Sequence, residues 1–506
     1  MDKYNYKDIN KERKSGIIMH ISSLWSEYGI GNLGEEAYKF ADFLKEAGQC
    51  YWQILPIGPT GYGDSPYQSF SSFAGNPYFI DFKILAKEGY LKEEDFKNLD
   101  YGNDRERVDF GKIYTTRNIV LGIAYENFKK SSKDNEKYFD FLNENFDWIE
   151  DYSLFMALKE HFGNVSFEDF PSDIKNREEE AMNRYSKELE DRINYHKFLQ
   201  FKFFEQYTSW KNYVNSLGIE VIGDMPIYVA PDSMEVWKNP ELFIKDKVGG
   251  CPPDGFSAGG QKWGNPIYDW KKHKEEDFKW WINRIEKTLK YVDVLRIDHF
   301  RGFESYWAVP KYDEDARNGE WVKAEGEALF EKVKEKLGDI KIVAEDLGYT
   351  TVEVVQFREK TGFPGMKMLQ FAFDPNNESD FIPHQIERNW AVYTGTHDSD
   401  TVKSWFEKAN KKEVEFAKKY LHLTDEKDYV LGFIRAAWSS VANMAIAQIQ
   451  DFLELGDEGR MNTPATLGNW SWRIKKENLT KELSDRIYDL TKTYSRLNKE
   501  ARKDEI

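Results

Sequence analysis

The sequence predicts an α/β chain closed into a (β/α)8 TIM barrel, with helical subdomain insertions in its βα loops. Short apolar segments alternate with longer amphipathic ones from end to end, the pattern of parallel strands joined by crossover helices. The strand candidates number about eight, which is what a closed barrel requires. Several of them end in carboxylates, on the face where barrels of this type build their sites.

The first strand candidate spans residues 16–21, and the amphipathic helix after it spans 35–47. Further strand candidates follow at 51–55, 219–223, 292–297, 340–344, 367–371, 391–394 and 445–452. The interval between Pro56 and Ile219 is far longer than one βαβ crossover, so something is inserted there. Residues 116–217 repeat apolar side chains at three- and four-residue spacing, interrupted by a single proline, Pro171. This predicts a largely helical insertion at about 85–217 on the barrel rim, with the acidic run at Glu178, Glu179 and Glu180 on a solvated helix face. A loop insertion is expected at about 230–270. With no fixed-period repeat, low-complexity tract or tether, residues 1–506 are expected to form one catalytic barrel domain.

Composition narrows the function. Hydrophobic residues at 40% and charged residues at 31% exclude a disordered or fibrous chain. A net charge of −17 repels phosphate backbones and anionic membranes, so neither nucleic acid nor a membrane surface is an expected partner. Two cysteines, Cys50 and Cys251, supply no disulfide framework and suit a reducing compartment. Residues 1–14 carry no secretory pattern, and no run of about 18 apolar residues marks a transmembrane helix. A cytoplasmic protein is the expectation. Aromatic residues make up 16% of the chain, more than a core of this size needs, and flat rings also stack on sugars.

The motifs differ in what they support. Gly29, Gly31 and Gly34 fit G-x-G-x-x-G, but a polar stretch separates them from the preceding strand and no acid ends the next one, so a close-turning loop fits better than a dinucleotide site. Residues 58–67 form a Gly- and Pro-rich loop displaying Tyr62 and Tyr67. Arg296 and Asp298 share one side of their strand, an arrangement that suits an ionised nucleophile and equally a structural ion pair. Glu345 and Asp346 are adjacent, so only one can face the pocket; alternation leaves open which, and Asp346 would also serve as a helix N-cap. His397 precedes Asp398 at the end of a third strand. Carboxylates converging from three strands suit glycosidic bond cleavage, which needs no cofactor and no metal. No H-E-x-x-H, Cys-x-x-Cys or G-x-S-x-G spacing offers a competing chemistry.

These segments resemble the α-amylase superfamily. More narrowly, residues 58–76 (GPTGYGDSPYQSFSSFAGN), 223–229 (GDMPIYV), 252–268 (PPDGFSAGGQKWGNPIY), 296–302 (RIDHFRG), and 461–464 with Asn469 and Trp470 resemble glycoside hydrolase family 77, the amylomaltases or 4-α-glucanotransferases. The resemblance implies Asp298 as nucleophile, Glu345 rather than Asp346 as general acid/base, and Asp398 as the carboxylate steadying the transition state. It also implies that Tyr62, Asp224, Trp263, Arg296 and His397 bind substrate, and that the partners are maltooligosaccharides and other α-1,4-glucans. A retaining mechanism places the catalytic carboxyls roughly 5 Å apart. The alternatives carried forward are a hydrolytic α-glucanase and a non-catalytic glucan-binding protein.

Overall fold

The structure is a computed structural model and describes residues 12–61, 63–131, 133–253, 257–464 and 466–500. Among the described residues the strands, in chain order, are β1 (Lys14–Ile18), β2 (Tyr51–Gln53), β3 (Glu220–Met225), β4 (Phe243–Cys251), β5 (Gln261–Tyr268), β6 (Val294–Ile297), β7 (Ser305–Pro310), β8 (Glu320–Lys323), β9 (Ile342–Ala344), β10 (Gly365–Met368), β11 (Trp390–Tyr393) and β12 (Met444–Gln448). Eight of them close a parallel barrel: β1, β2, β3, β6, β9, β10, β11 and β12, with β12 returning to pair with β1. This is the predicted architecture.

Strand alternation explains the barrel interior. Ile18, Tyr51, Ile222, Val294, Val343, Met366, Tyr393 and Ile446 form a buried cluster with one of these side chains from each strand. Two residues on from Ile222, Val294 and Val343 come Asp224, Arg296 and Glu345. The two-residue period that stacks the apolar layer therefore lifts these three polar groups into its open C-terminal mouth. Gly16 of β1 faces Tyr51 so closely that an added Cβ would sit 2.4 Å from the Tyr51 Cβ and 2.8 Å from its carbonyl oxygen.

Several boundaries depart from expectation. The segment expected as strand over 445–452 is strand only to Gln448 and then turns into the helix Ile449–Phe452. The segment over 367–371 likewise ends at Met368 and becomes a 3-10 turn, Leu369–Phe371. All of these residues except Phe371 are buried, and burial on every side removes the contrast from which periodicity separates strand from helix.

Between β2 and β3 the chain runs through the helices Phe110–Lys129, Asn135–Glu144, Ile149–His161, Glu179–Glu188 and Glu190–Ser216, the last of which packs along Ile149–His161. Its Trp210 meets Trp52 of β2 edge to face at 4.8 Å, which joins this helical layer to the barrel wall. A second sheet was not foreseen. It is antiparallel, in the order β5, β4, β7, β8, and stands on the loops that leave β3 and β6. No helix among the described residues is long and apolar enough to cross a membrane.

Candidate active site

The register of β3 and β6 sets Asp224 directly opposite Arg296. Arg296 Nη1 donates to both Asp224 carboxylate oxygens at 2.7 Å and to Asp298 Oδ1 at 3.1 Å. Asp224 Oδ2 accepts a further bond from Tyr67 Oη at 2.8 Å. Asp224 and Arg296 are buried, whereas the Asp298 side chain keeps 28% of its surface open to the cleft. The buried pair is thus a clamp whose guanidinium aims one accessible carboxylate.

Glu345 follows β9 and is held by backbone donors. Its Oε2 accepts from the His299 N–H at 2.7 Å and its Oε1 from the Leu347 N–H at 2.9 Å. His299 stands in the left-handed region at φ 50°, a conformation that non-glycine residues keep only where their surroundings impose it. That turn lets consecutive residues face the cleft differently: Asp298 offers its carboxylate and His299 its backbone N–H. The His299 ring in turn meets Trp263 edge to face at 4.8 Å.

Asp398 comes from the loop after β11. Its Oδ2 lies 3.2 Å from His397 Nε2, and its Oδ1 accepts from Asn462 Nδ2 at 2.6 Å. The His397 ring stacks on Tyr67 at 5.0 Å with 19° between planes, and Trp470 lies 5.8 Å from both rings. Tyr67 therefore links the Arg296 clamp to the His397 and Asp398 loop.

The three carboxyls share one field. Burial pushes Glu345 above the ordinary carboxylate range, and the charge of Asp298 pushes it further. Burial also raises Asp298, with Asp224 and Asp398 adding to the rise and Arg296 opposing it. Burial acts the same way on Asp398, but His397, Asn462 and Arg296 outweigh it and hold that carboxyl well below the usual range. His397 is raised: burial disfavours its charge, and Asp398 more than compensates. The site can therefore present a protonated carboxyl beside two anionic ones.

Of the residues singled out from sequence, Asp298, Glu345, Asp398, Asp224, Arg296 and His397 meet at the barrel mouth, and Trp263 flanks it from β5. Tyr62 lies outside the described residues. Asp346 turns away from the cleft: its Oδ1 accepts from the Met366 N–H at 2.9 Å and its Oδ2 lies 3.1 Å from Arg358 Nε. It does not cap the helix Val352–Thr361, whose N-cap is Thr351. Sequence reasoning gave no role to His299, Asn462 or the ring of Tyr67. Asn462 lies in the segment 461–464, but nothing in its spacing points to Asp398. Among the described residues no group of three or more His, Cys, Asp or Glu side chains is arranged to hold a metal ion.

A family model described as 4-alpha-glucanotransferase matches residues 19–480. The chain is 51% identical over 487 residues to the 4-alpha-glucanotransferase of Clostridium butyricum, covering 94% of this chain and 100% of that one. It is 44% identical to the 4-alpha-glucanotransferase of Thermus thermophilus, covering 96% and 99% of the two chains. Among solved structures, amylomaltase from Streptococcus agalactiae in complex with acarbose superposes with a TM-score of 0.94 at 43% identity, covering 96% of this chain and 100% of that one.

Proposed function

Because the chain belongs to glycoside hydrolase family 77, the 4-alpha-glucanotransferases, we propose that it moves α-1,4-glucan segments from a donor maltooligosaccharide to the 4-hydroxyl of an acceptor sugar by a retaining double displacement. One observation carries the residue assignment: an accessible Asp298, ion-paired to a buried Arg296, shares a cleft with a Glu345 whose proton is held by burial and by Asp298 itself. Glu345 donates that proton to the glycosidic oxygen while Asp298 attacks the anomeric carbon, giving a covalent glycosyl-enzyme. Asp398, kept ionised by His397 and Asn462, steadies the positive charge that develops on the sugar ring. Glu345 then takes the proton of the incoming 4-hydroxyl, and the new bond forms with the α configuration restored.

Asp224, Arg296 and His397 line the ring being cleaved, and Trp263 covers the glucan, with Tyr62 assigned to the same sugar through the family resemblance. Transfer over hydrolysis demands that water be kept from the intermediate, and the aromatic walls formed by Tyr67, Trp470 and Trp263 serve that end. The whole chain acts as one catalytic unit, with the helical layer at about 85–217 and the segment at about 230–270, which carries β4 and β5, as insertions. A cytoplasmic location fits two cysteines that form no disulfide, and the net charge of −17 disfavours nucleic-acid partners.

Incubation with maltotriose, read by chromatography and a reducing-end assay, tests the reading. Transfer yields glucose and longer chains with reducing ends unchanged; a steady rise in reducing ends means hydrolysis, and untouched substrate leaves only binding. Asp298→Asn is expected to abolish turnover while the circular dichroism spectrum and unfolding midpoint stay near those of the parent. Surviving turnover would remove Asp298 from the nucleophile's role.

A further inference from the structure

Away from the cleft floor, the outer face of the second sheet carries an aromatic surface that the proposed mechanism does not use. Gly250, Trp307 and Trp321 are register partners across β4, β7 and β8, so they share a face of the sheet. Trp307 meets Trp321 edge to face at 5.2 Å, and Trp321 lies nearly parallel to Tyr349, with 6.1 Å between ring centres and 20° between planes. Trp321 is 39% and Tyr349 65% exposed. Two large rings held side by side and partly open to water make a contiguous apolar patch of the kind that marks a binding surface.

The surface is built rather than incidental. Arg301 is buried beneath it, with its guanidinium 3.8 Å from the Trp321 ring centre, its Nη1 donating to the Tyr349 carbonyl and its Nη2 to Ser305 Oγ. That arrangement is a cation–π brace anchored at both ends. Glu304 and Lys323, an ion pair beside it, supply a polar rim.

Its placement indicates the occupant. Tyr349 is four residues beyond Glu345, so at most about 14 Å of chain separates them. Arg301 is two residues beyond His299, whose backbone N–H holds Glu345. The same two loops therefore support the acid/base and the aromatic pair. A general acid stands beside the glycosidic oxygen it protonates, so the loop that continues from it flanks the leaving and accepting chain rather than the sugar held by the nucleophile.

We propose that Trp321 and Tyr349, braced by Arg301, form an accessory platform that stacks on the acceptor-side segment of a bound α-glucan several sugars from the cleavage point. This rests on the transferase reading above. The platform would favour long acceptors over short ones, because only a chain long enough to leave the cleft reaches it.

The test compares the parent with Trp321→Ala, Tyr349→Ala and Tyr349→Phe, using maltotriose and maltoheptaose as substrates. Both alanine variants are expected to raise KM for maltoheptaose roughly tenfold, the change that about 1.4 kcal/mol of lost contact produces. Their kcat and their KM for maltotriose are expected to stay within about twofold of the parent, and Tyr349→Phe is expected to behave as the parent on both sugars. In the Asp298→Asn background, calorimetric titration with maltoheptaose is expected to show the same roughly tenfold weakening when Tyr349→Ala is added. An unchanged KM and affinity for maltoheptaose would overturn the platform, as would an equal loss on both sugars. A parent that fails to disproportionate maltotriose would instead defeat the transferase reading, while the titration would still report on the platform.

Discussion

Asp298, Glu345 and Asp398 carry the same functional group, and what separates their roles is the set of neighbours each meets. Asp298 faces a guanidinium that is itself neutralised by Asp224; Glu345 accepts from backbone N–H donors and feels the charge of Asp298 more strongly than that of Arg296; Asp398 faces His397 and an amide. The sign of each displacement sets the expected pH profile. Glu345 must be protonated to act and is raised, so kcat/KM falls on the alkaline side with a midpoint well above the value near 4.3 of an ordinary glutamate. Asp298 must be ionised and is also raised, so the acid limb lies above the value near 3.9 of an ordinary aspartate. Because the two carboxyls interact, both limbs belong to the pair. A profile measured with maltotriose whose alkaline limb fell at the ordinary glutamate value would show that burial and Asp298 do not govern Glu345.

At the scale of strands and turns, the site is a product of register. Asp224 meets Arg296 because β3 and β6 pair residue for residue, and a slip of either strand by one position would turn its own member of the pair to the opposite face. Gly16 shows how little slack the barrel interior has. Its place between Tyr51 and Ile446 leaves no room for a methyl group, so Gly16→Ala must push β1 away from β2. Overpacking of this kind costs about 1–3 kcal/mol. The expected result is a lower urea midpoint with the maltotriose ladder still formed at temperatures where the protein remains folded; an unchanged midpoint would mean that β1 and β2 part at no cost. Other features of these elements were hidden for a physical reason. The helix Ile449–Phe452 follows β12 with every residue buried, so no polar face announced the change.

For the molecule as a whole, the seam between the first and last barrel strands is closed by the chain's C-terminal segment. Arg496 is fully buried and donates to the carbonyl oxygens of Trp438, Lys14, Ser440 and Ala442, spanning both sides of the seam. Arg13 adds bonds to Trp438, Ser440 and Tyr494 from the other terminus. Burial pulls the Arg496 guanidinium below its ordinary value, and among the described residues it is backbone carbonyls, with the Ser440 hydroxyl, that solvate the charge. Arg496→Ala strands those carbonyls and opens a cavity, and a loss of about 3 kcal/mol is expected in equilibrium unfolding. A loss under about 1 kcal/mol would show that the seam holds without the clip.

The architecture and the neighbourhood of the chemistry can be read from the residues alone. Eight apolar segments of strand length imply a closed barrel, and polar residues at their C-terminal ends can only gather at one mouth, so Arg296, Asp298, Asp398 and one of the pair Glu345 and Asp346 are legible as neighbours from the sequence. The choice between Glu345 and Asp346 was legible only through the family resemblance; the structure supplies the physical reason, since Asp346 is drawn to Arg358 and the Met366 N–H. Contacts between loops remote in sequence emerge only in the folded chain: Tyr67 on His397, Asn462 on Asp398, the His299 N–H on Glu345, and the Trp321 and Tyr349 pair above Arg301. Periodicity reports which way a side chain points within its own element. It carries no information about which distant loop stands opposite, because loop paths are set by the packing of the whole chain.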